Sequence, residues 1–307
     1  MMSAVRLLLL PALILACPDL RPAAPANTPA AEAIIDDPVL RSGRVDSPGA
    51  GADKESVPAL AMYRLLAEQG NAEAQFRLGT MYSFGRDVPV DLVESARYYR
   101  MAAESGKARA QTLLAVAYLS GRGLAPDKAE ALKWFRRAAE KGDSVAHAYL
   151  GSMYAQGEGV PKNATEAAKW YRMAAADSKD HLIIVPQYKL GNMYAAGDGV
   201  PRDSAEAARW YRIAAERGHG AAQRALGMMY VNGEGVPTNE VEGLAWIMVA
   251  TGSGTNVIRQ HRQQREDIEG RLSPEFVSRA RQRSQELSAQ VYRNRKGNPS
   301  PPDLDKE

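Results

Sequence analysis

Two sets of residues recur along this chain at a nearly fixed interval, and a chain that repeats itself has few folds open to it. Gly79, Ala115, Gly151, Gly191 and Gly227 are spaced 36, 36, 40 and 36 residues apart. Met62, Tyr98, Trp134, Trp170, Trp210 and Trp246 keep step, at 36, 36, 36, 40 and 36. Two separate marks on one period define a unit too small to bury its own apolar face, so copies must stack on one another.

Each part of the unit has a physical reading. Asp91, Asp127, Asn163, Asp203 and Asn239 follow a Gly/Pro-rich loop and precede Glu94, Glu130, Glu166, Glu206 and Glu242 by three residues. An oxygen-bearing cap followed by Glu at that distance opens a helix. On a helical wheel from Trp210, the residues Ala207, Ala208, Tyr211, Ala214 and Ala215 share one face, and Glu206, Arg209, Arg212 and Glu216 share the other. Gly218 ends that helix. A second helix runs through Ala222, Leu226, Met229 and Tyr230, with Gly227 where a neighbouring helix can press on the backbone, and the run from Gly233 to Pro237 ends it. Ala-rich faces suit closely packed helices better than sheets. The expected fold is an all-α solenoid of about five helix-turn-helix repeats, closed by a polar helix that Ser273 caps and Pro274 opens.

The pattern A-x-x-W-Y-R-x-A-A-E-x-G, followed by A-Q-x-x-L-G-x-M-Y-x-x-G-x-G-V-P, resembles the Sel-one-like repeat, a relative of the tetratricopeptide repeat. It is fullest from Leu190 to Gly218 and extends over roughly residues 59–254. The resemblance implies a right-handed superhelix of helix hairpins whose concave face binds other proteins, often as an envelope or signalling adaptor. The second unit departs from the pattern, with Ala115 for Gly and a shifted proline at Ala125-Pro126.

Outside the repeats, Arg6 precedes an apolar run from Leu7 to Ala16, too short for a membrane span of roughly 20 residues. The run ends at Cys17, the sole cysteine. Residues 1–17 therefore read as a signal peptide with a lipobox-like end, and Cys17 as a lipidation site. One cysteine excludes a disulfide framework and a cysteine-based zinc site. Residues 18–57, rich in Pro, Ala, Gly and Ser, read as a disordered tether. Residues 58–290 read as the solenoid with its cap, and 291–307 as a disordered tail. Lys plus Arg number 39 against 36 Asp plus Glu, a net +3, too balanced to indicate a nucleic-acid partner.

Candidate binding residues are few. Arg64, Arg100, Arg136, Arg172 and Arg212 recur two residues after the aromatic mark. They form either a cationic ladder for an acidic partner or i,i+4 ion pairs with Glu68, Glu104, Glu140 and Glu216, a partner that Arg172 lacks. Tyr98, Trp134, Trp170 and Trp210 read as core. The four-residue insertion within 177–189 carries Leu182, Ile183, Ile184 and Val185, an apolar run expected in a loop, either exposed as a contact site or folded back as extra core. The four histidines show no metal-ligand spacing, and no nucleophile or phosphate-loop motif is present, so no cofactor or metal is expected. The sequence thus points to a non-enzymatic protein-binding scaffold of a bacterial envelope, periplasmic or lipid-anchored, touching a membrane only through that anchor. Two rivals stay open, a secreted enzyme acting on β-lactam or cell-wall substrates and a structural spacer.

Overall fold

A computed structural model describes residues 56–176, 184–252 and 259–295. Cys17, Leu182, Ile183 and residues 1–55 of the proposed signal and tether segments lie outside the described residues, while Ser56 and Val57, read as the end of the tether, already belong to the first helix. Thirteen helices and no strands occur among those described: α1 (Ser56–Glu68), α2 (Ala72–Phe84), α3 (Leu92–Glu104), α4 (Ala108–Ser120), α5 (Lys128–Glu140), α6 (Ser144–Gln156), α7 (Ala164–Ala176), α8 (Ile184–Ala196), α9 (Ser204–Glu216), α10 (Gly220–Asn232), α11 (Glu240–Gly252), α12 (Arg259–Glu269) and α13 (Pro274–Arg295). The architecture is an all-α repeat solenoid. No described helix is long and apolar enough to cross a membrane.

The caps form as the sequence requires. Asp91, Asp127, Asn163, Asp203 and Asn239 each accept a hydrogen bond from the backbone N–H three residues on. The glutamates of the motif turn away from the cap. Glu94, Glu130, Glu166 and Glu206 pair with Arg97, Lys133, Lys169 and Arg209, one turn further into the helix. Glu242 reaches out of its repeat to Arg283 on α13 instead, at 2.9 Å.

The core repeats residue by residue. Leu78, Leu114, Leu150, Leu190 and Leu226 are fully buried, as are Ala102, Ala138, Ala174 and Ala214. Each such leucine removed from water contributes about 1.5–3 kcal/mol. Helices α2 and α3 approach so closely at Gly79 that an added Cβ would stand 2.6 Å from the Tyr99 ring, and Gly151 with Tyr171 and Gly191 with Tyr211 repeat the contact at 2.5 Å. The deepest aromatic is therefore the residue after the expected one. Tyr99, Phe135, Tyr171 and Tyr211 are buried, and of the expected stripe only Trp134 matches them, while Tyr98, Trp170 and Trp210 lie half-buried at the helix edge.

A glutamine links each hairpin to the one before. Gln75, Gln111 and Gln223 are buried, and each donates through Nε2 to a carbonyl eight residues earlier, that of Ala67, Ala103 and Ala215. His147 takes the same register position, with Nε2 3.2 Å from the Ala139 carbonyl oxygen. Each of these carbonyls also accepts the N–H of the glycine three residues on, so the side chain supplies its second partner.

Two further boundaries differ from the sequence reading. Ile184 and Val185 open α8 as helical, half-buried residues, because the insertion's apolar run extends into the next helix, and Ile184 packs on the core around Tyr211. At the other end α13 continues to Arg295, since Val291 is buried and the Asn294 amide donates to the Glu216 carbonyl at 3.0 Å. Ala280, Leu287 and Val291 cover the final apolar face, and the Ser273 hydroxyl accepts from the Phe276 N–H at 3.4 Å.

Candidate partner-binding surfaces

The arginine ladder is real, but its partners are tyrosines. Arg64, Arg100, Arg136, Arg172 and Arg212 donate to the hydroxyls of Tyr82, Tyr118, Tyr154, Tyr194 and Tyr230 at 3.1, 2.9, 3.0, 2.8 and 2.7 Å. Where spacing paired Arg100 with Glu104 and Arg136 with Glu140, each guanidinium reaches across to the next helix instead. Arg172, the member expected to be free, is held like the others. Three of the cations also lie near the ring faces, Arg172 at 5.7 Å and Arg100 and Arg212 at 6.0 Å from the centroids. The ladder thus fastens one hairpin to the next along an exposed edge, and each rung contributes below about 1 kcal/mol at such exposure.

The cavities open on the other side. One, of 290 Å³, lies between α2, α3 and α4, with Phe84, Tyr99, Arg109, Thr112, Val116 and Arg122 in its wall. A second, of 660 Å³, lies between α6, α7 and α8, with Tyr149, Ser152, Val185, Lys189, Asn192 and His219 in its wall. On the wheel of α4, Tyr118 falls opposite Arg109, Thr112 and Val116, and on α8 Tyr194 falls opposite Val185, Lys189 and Asn192. Of the residues singled out from sequence as partner-binding, only Val185 lines either of these two cavities. Ile184 faces the core, and the five arginines of the ladder occupy the far flank.

Polarity inside the cavities is built in. The Tyr211 hydroxyl donates to Asn192 Oδ1 at 2.7 Å, Tyr99 reaches Thr80 at 3.4 Å, and Tyr171 faces Ser152. Burial pushes the Tyr171 and Tyr211 hydroxyls up to about 12. In the second repeat Phe135 and Val116 occupy the corresponding positions, so hydroxyl and partner disappear together. Two buried hydroxyls on this flank, Tyr149 and Thr112, have no hydrogen-bond partner.

The loops along this flank change sign. The residue after the helix-closing glycine is Arg86, Arg122, Glu158, Asp198 and Glu234 in successive repeats. The glycine after it, with φ near +70°, lies against the start of an earlier helix; a Cβ on Gly123, Gly199 or Gly235 would fall 1.9–2.3 Å from backbone atoms of Leu92, Ala164 or Ser204. Each loop is therefore pinned to the repeat before it. Among the described residues no three His, Cys, Asp or Glu side chains gather as metal ligands. The single change of charge along these loops, and Arg109 and Thr112 beside it, carry no local signal of a site, although the loop position recurs in step with the repeat.

A stack of helix hairpins with an edge of side-chain rungs and an opposite cavity-bearing flank defines a repeat scaffold. The family model of the Sel1 repeat matches residues 72–107, 108–143, 144–178, 187–219 and 220–247, more than half of the sequence. The chain belongs to the Sel1 repeat family. A Sel1 repeat protein from Oxalobacter formigenes is similar at 33% identity and a TM-score of 0.59, over 67% of this chain and 58% of that one. A protective antigen present in uropathogenic Escherichia coli strains, displaying an SLR fold, is similar at 27% identity and a TM-score of 0.52, over 88% of this chain and 64% of that one. This chain spans about three fifths of the length of either. No curated protein matches it. Sel1 repeat proteins are generally scaffolds for protein–protein binding and typically non-catalytic.

Proposed function

We propose that this protein is a non-catalytic scaffold of the bacterial cell envelope, exported through residues 1–17, lipid-anchored through Cys17, and bound to a protein partner along the cavity-bearing flank. The observation that carries the reading is the division of labour between the two flanks. Arginines and tyrosines on one side satisfy each other and hold the stack together. The other side keeps two cavities in which polar side chains such as Arg122, Lys189 and Asn192 stand among apolar ones, a lining suited to a partner's side chains. Export rests on the short apolar run and its cysteine, a sequence reading.

Affinity capture from envelope extracts should return the same partner with the native chain and lose it when Ser152→Trp and Asn192→Trp fill the larger cavity. Capture should survive Arg136→Ala, which lies on the other flank. A partner lost with Arg136→Ala and kept with the cavity variants would reverse the assignment, and no reproducible partner would leave a spacer role. Mass spectrometry of the mature N-terminus tests the lipid on Cys17. Turnover of a chromogenic β-lactam by the full chain would restore the enzyme reading.

A further inference from the structure

The smaller cavity differs from the larger in its charge. Arg109 and Arg122 both stand in its wall and no carboxylate does. Arg122 is half-buried on the loop that closes α4, and among the described residues its guanidinium makes no hydrogen bond or ion pair, although its charge reaches the Tyr99 hydroxyl. Arg109 has only a long contact to Asp143, at 4.0 Å. Between them Thr112 is completely buried on α4 and its hydroxyl has no partner. The remaining wall is apolar, made by Phe84, Leu113 and Val116 with the Tyr99 ring.

From this arrangement we infer that the cavity between α2, α3 and α4 receives a carboxylate adjoining an apolar side chain of a peptide partner. Two cations with little to neutralise them, at the mouth of a low-dielectric pocket, favour an anion. The apolar wall selects what lies next to that anion, since a bare inorganic ion would leave it wet. The three later repeats carry Glu158, Asp198 and Glu234 at the position of Arg122, and the first, which has Arg86 there, carries Glu73 where Arg109 stands, so the pair of cations belongs to this place in the array alone. The inference rests on the scaffold reading above and names what one cavity takes.

The test uses the full chain and three small probes followed by ligand-observed NMR titration. N-acetyl-leucine carries a terminal carboxylate, N-acetyl-leucyl-glutamic acid α-amide a side-chain carboxylate, and N-acetyl-leucinamide none. At least one acid should bind about tenfold more tightly than the neutral amide, and the tighter acid identifies whether a chain end or an acidic side chain is recognised. Arg122→Gln should abolish that preference while leaving the neutral probe's affinity and the circular dichroism unchanged. Thr112→Val, whose hydroxyl lies beneath the cavity wall and out of a ligand's reach, should leave the acids' preference over the amide intact; its loss with Thr112→Val would show that the cations are not what selects the anion. Equal binding of all three, or no binding of any, overturns the inference. Partner capture that persists alongside such a negative result would sink this inference and leave the scaffold reading standing. Probe binding without any captured partner would do the reverse.

Discussion

At the scale of single residues, the repeat is held by pairs that change together. Gly151 leaves room for the Tyr171 ring, and the ring's hydroxyl faces Ser152 on the same helix as the glycine. Gly151→Ala would place a methyl 2.5 Å from that ring, and we expect a cost of about 1–3 kcal/mol in urea unfolding. Tyr171→Phe in the same chain should recover part of it, because Ala115 and Phe135 coexist in the second repeat once the hydroxyl is gone. His219 makes a different commitment. Its Nδ1 accepts the Ala222 N–H at 3.2 Å as the cap of α10, its ring stacks on Tyr188 at 4.4 Å, and Lys189 stands nearby. Burial, with a smaller push from Lys189, brings its pKa down to about 4 from 6.5. The unfolded chain therefore takes up a proton that the folded chain refuses, and stability falls as pH drops from 6.5 towards 4, by on the order of 1–3 kcal/mol. Urea titrations across that range should show the slope, and His219→Asn should flatten it while keeping the cap, as Asn71 does for Ala74.

At the scale of elements, the helices and their caps were legible in the sequence because each rests on local chemistry repeated five times. Asp203 before Glu206, and Gly218 after the helix, need no tertiary knowledge. The side-chain partners were not legible for the opposite reason. Arg100 had Glu104 one turn away and Tyr118 eighteen residues away, and only the packed neighbour decides between them. Ile184 and Val185 misled in the same way, since an apolar run beside an insertion reads equally as loop or as the start of a helix. The Trp position was read as core, and the residue after it is deeper because the wheel fixes a broad face rather than its centre. The loop glycines give a sharp test. Gly199→Ala meets the Ala164 backbone at 2.3 Å with φ at +72°, and we expect a loss of more than about 2 kcal/mol by thermal unfolding. Asp87 holds the equivalent place in the first repeat at φ 56°, and Asp87→Gly should be neutral or mildly stabilising there.

At the scale of the whole molecule, stability is carried from neighbour to neighbour, so damage at one end should stay near that end. Helix α13 is the seal. It is tied to α11 by Arg283 with Glu242 and to α9 by Asn294 with the Glu216 carbonyl, over a seam in which Leu287 is buried. Leu287→Ala should cost about 2–5 kcal/mol, and hydrogen exchange should show protection falling first in α9, α11 and α13 while α4 to α6 hold. Uniform loss of protection would mean that the array unfolds as one block.

The loop glycines that rest on the preceding repeat also govern how such a chain can grow or shrink. A loop seated on its predecessor cannot accept a half-length neighbour, because an odd helix would present a side chain where the backbone needs bare space. Duplication or loss is then tolerated only in complete periods joined at matching loops, and in the sequence the four extra residues fall at the other kind of junction, between Ala176 and Ile184.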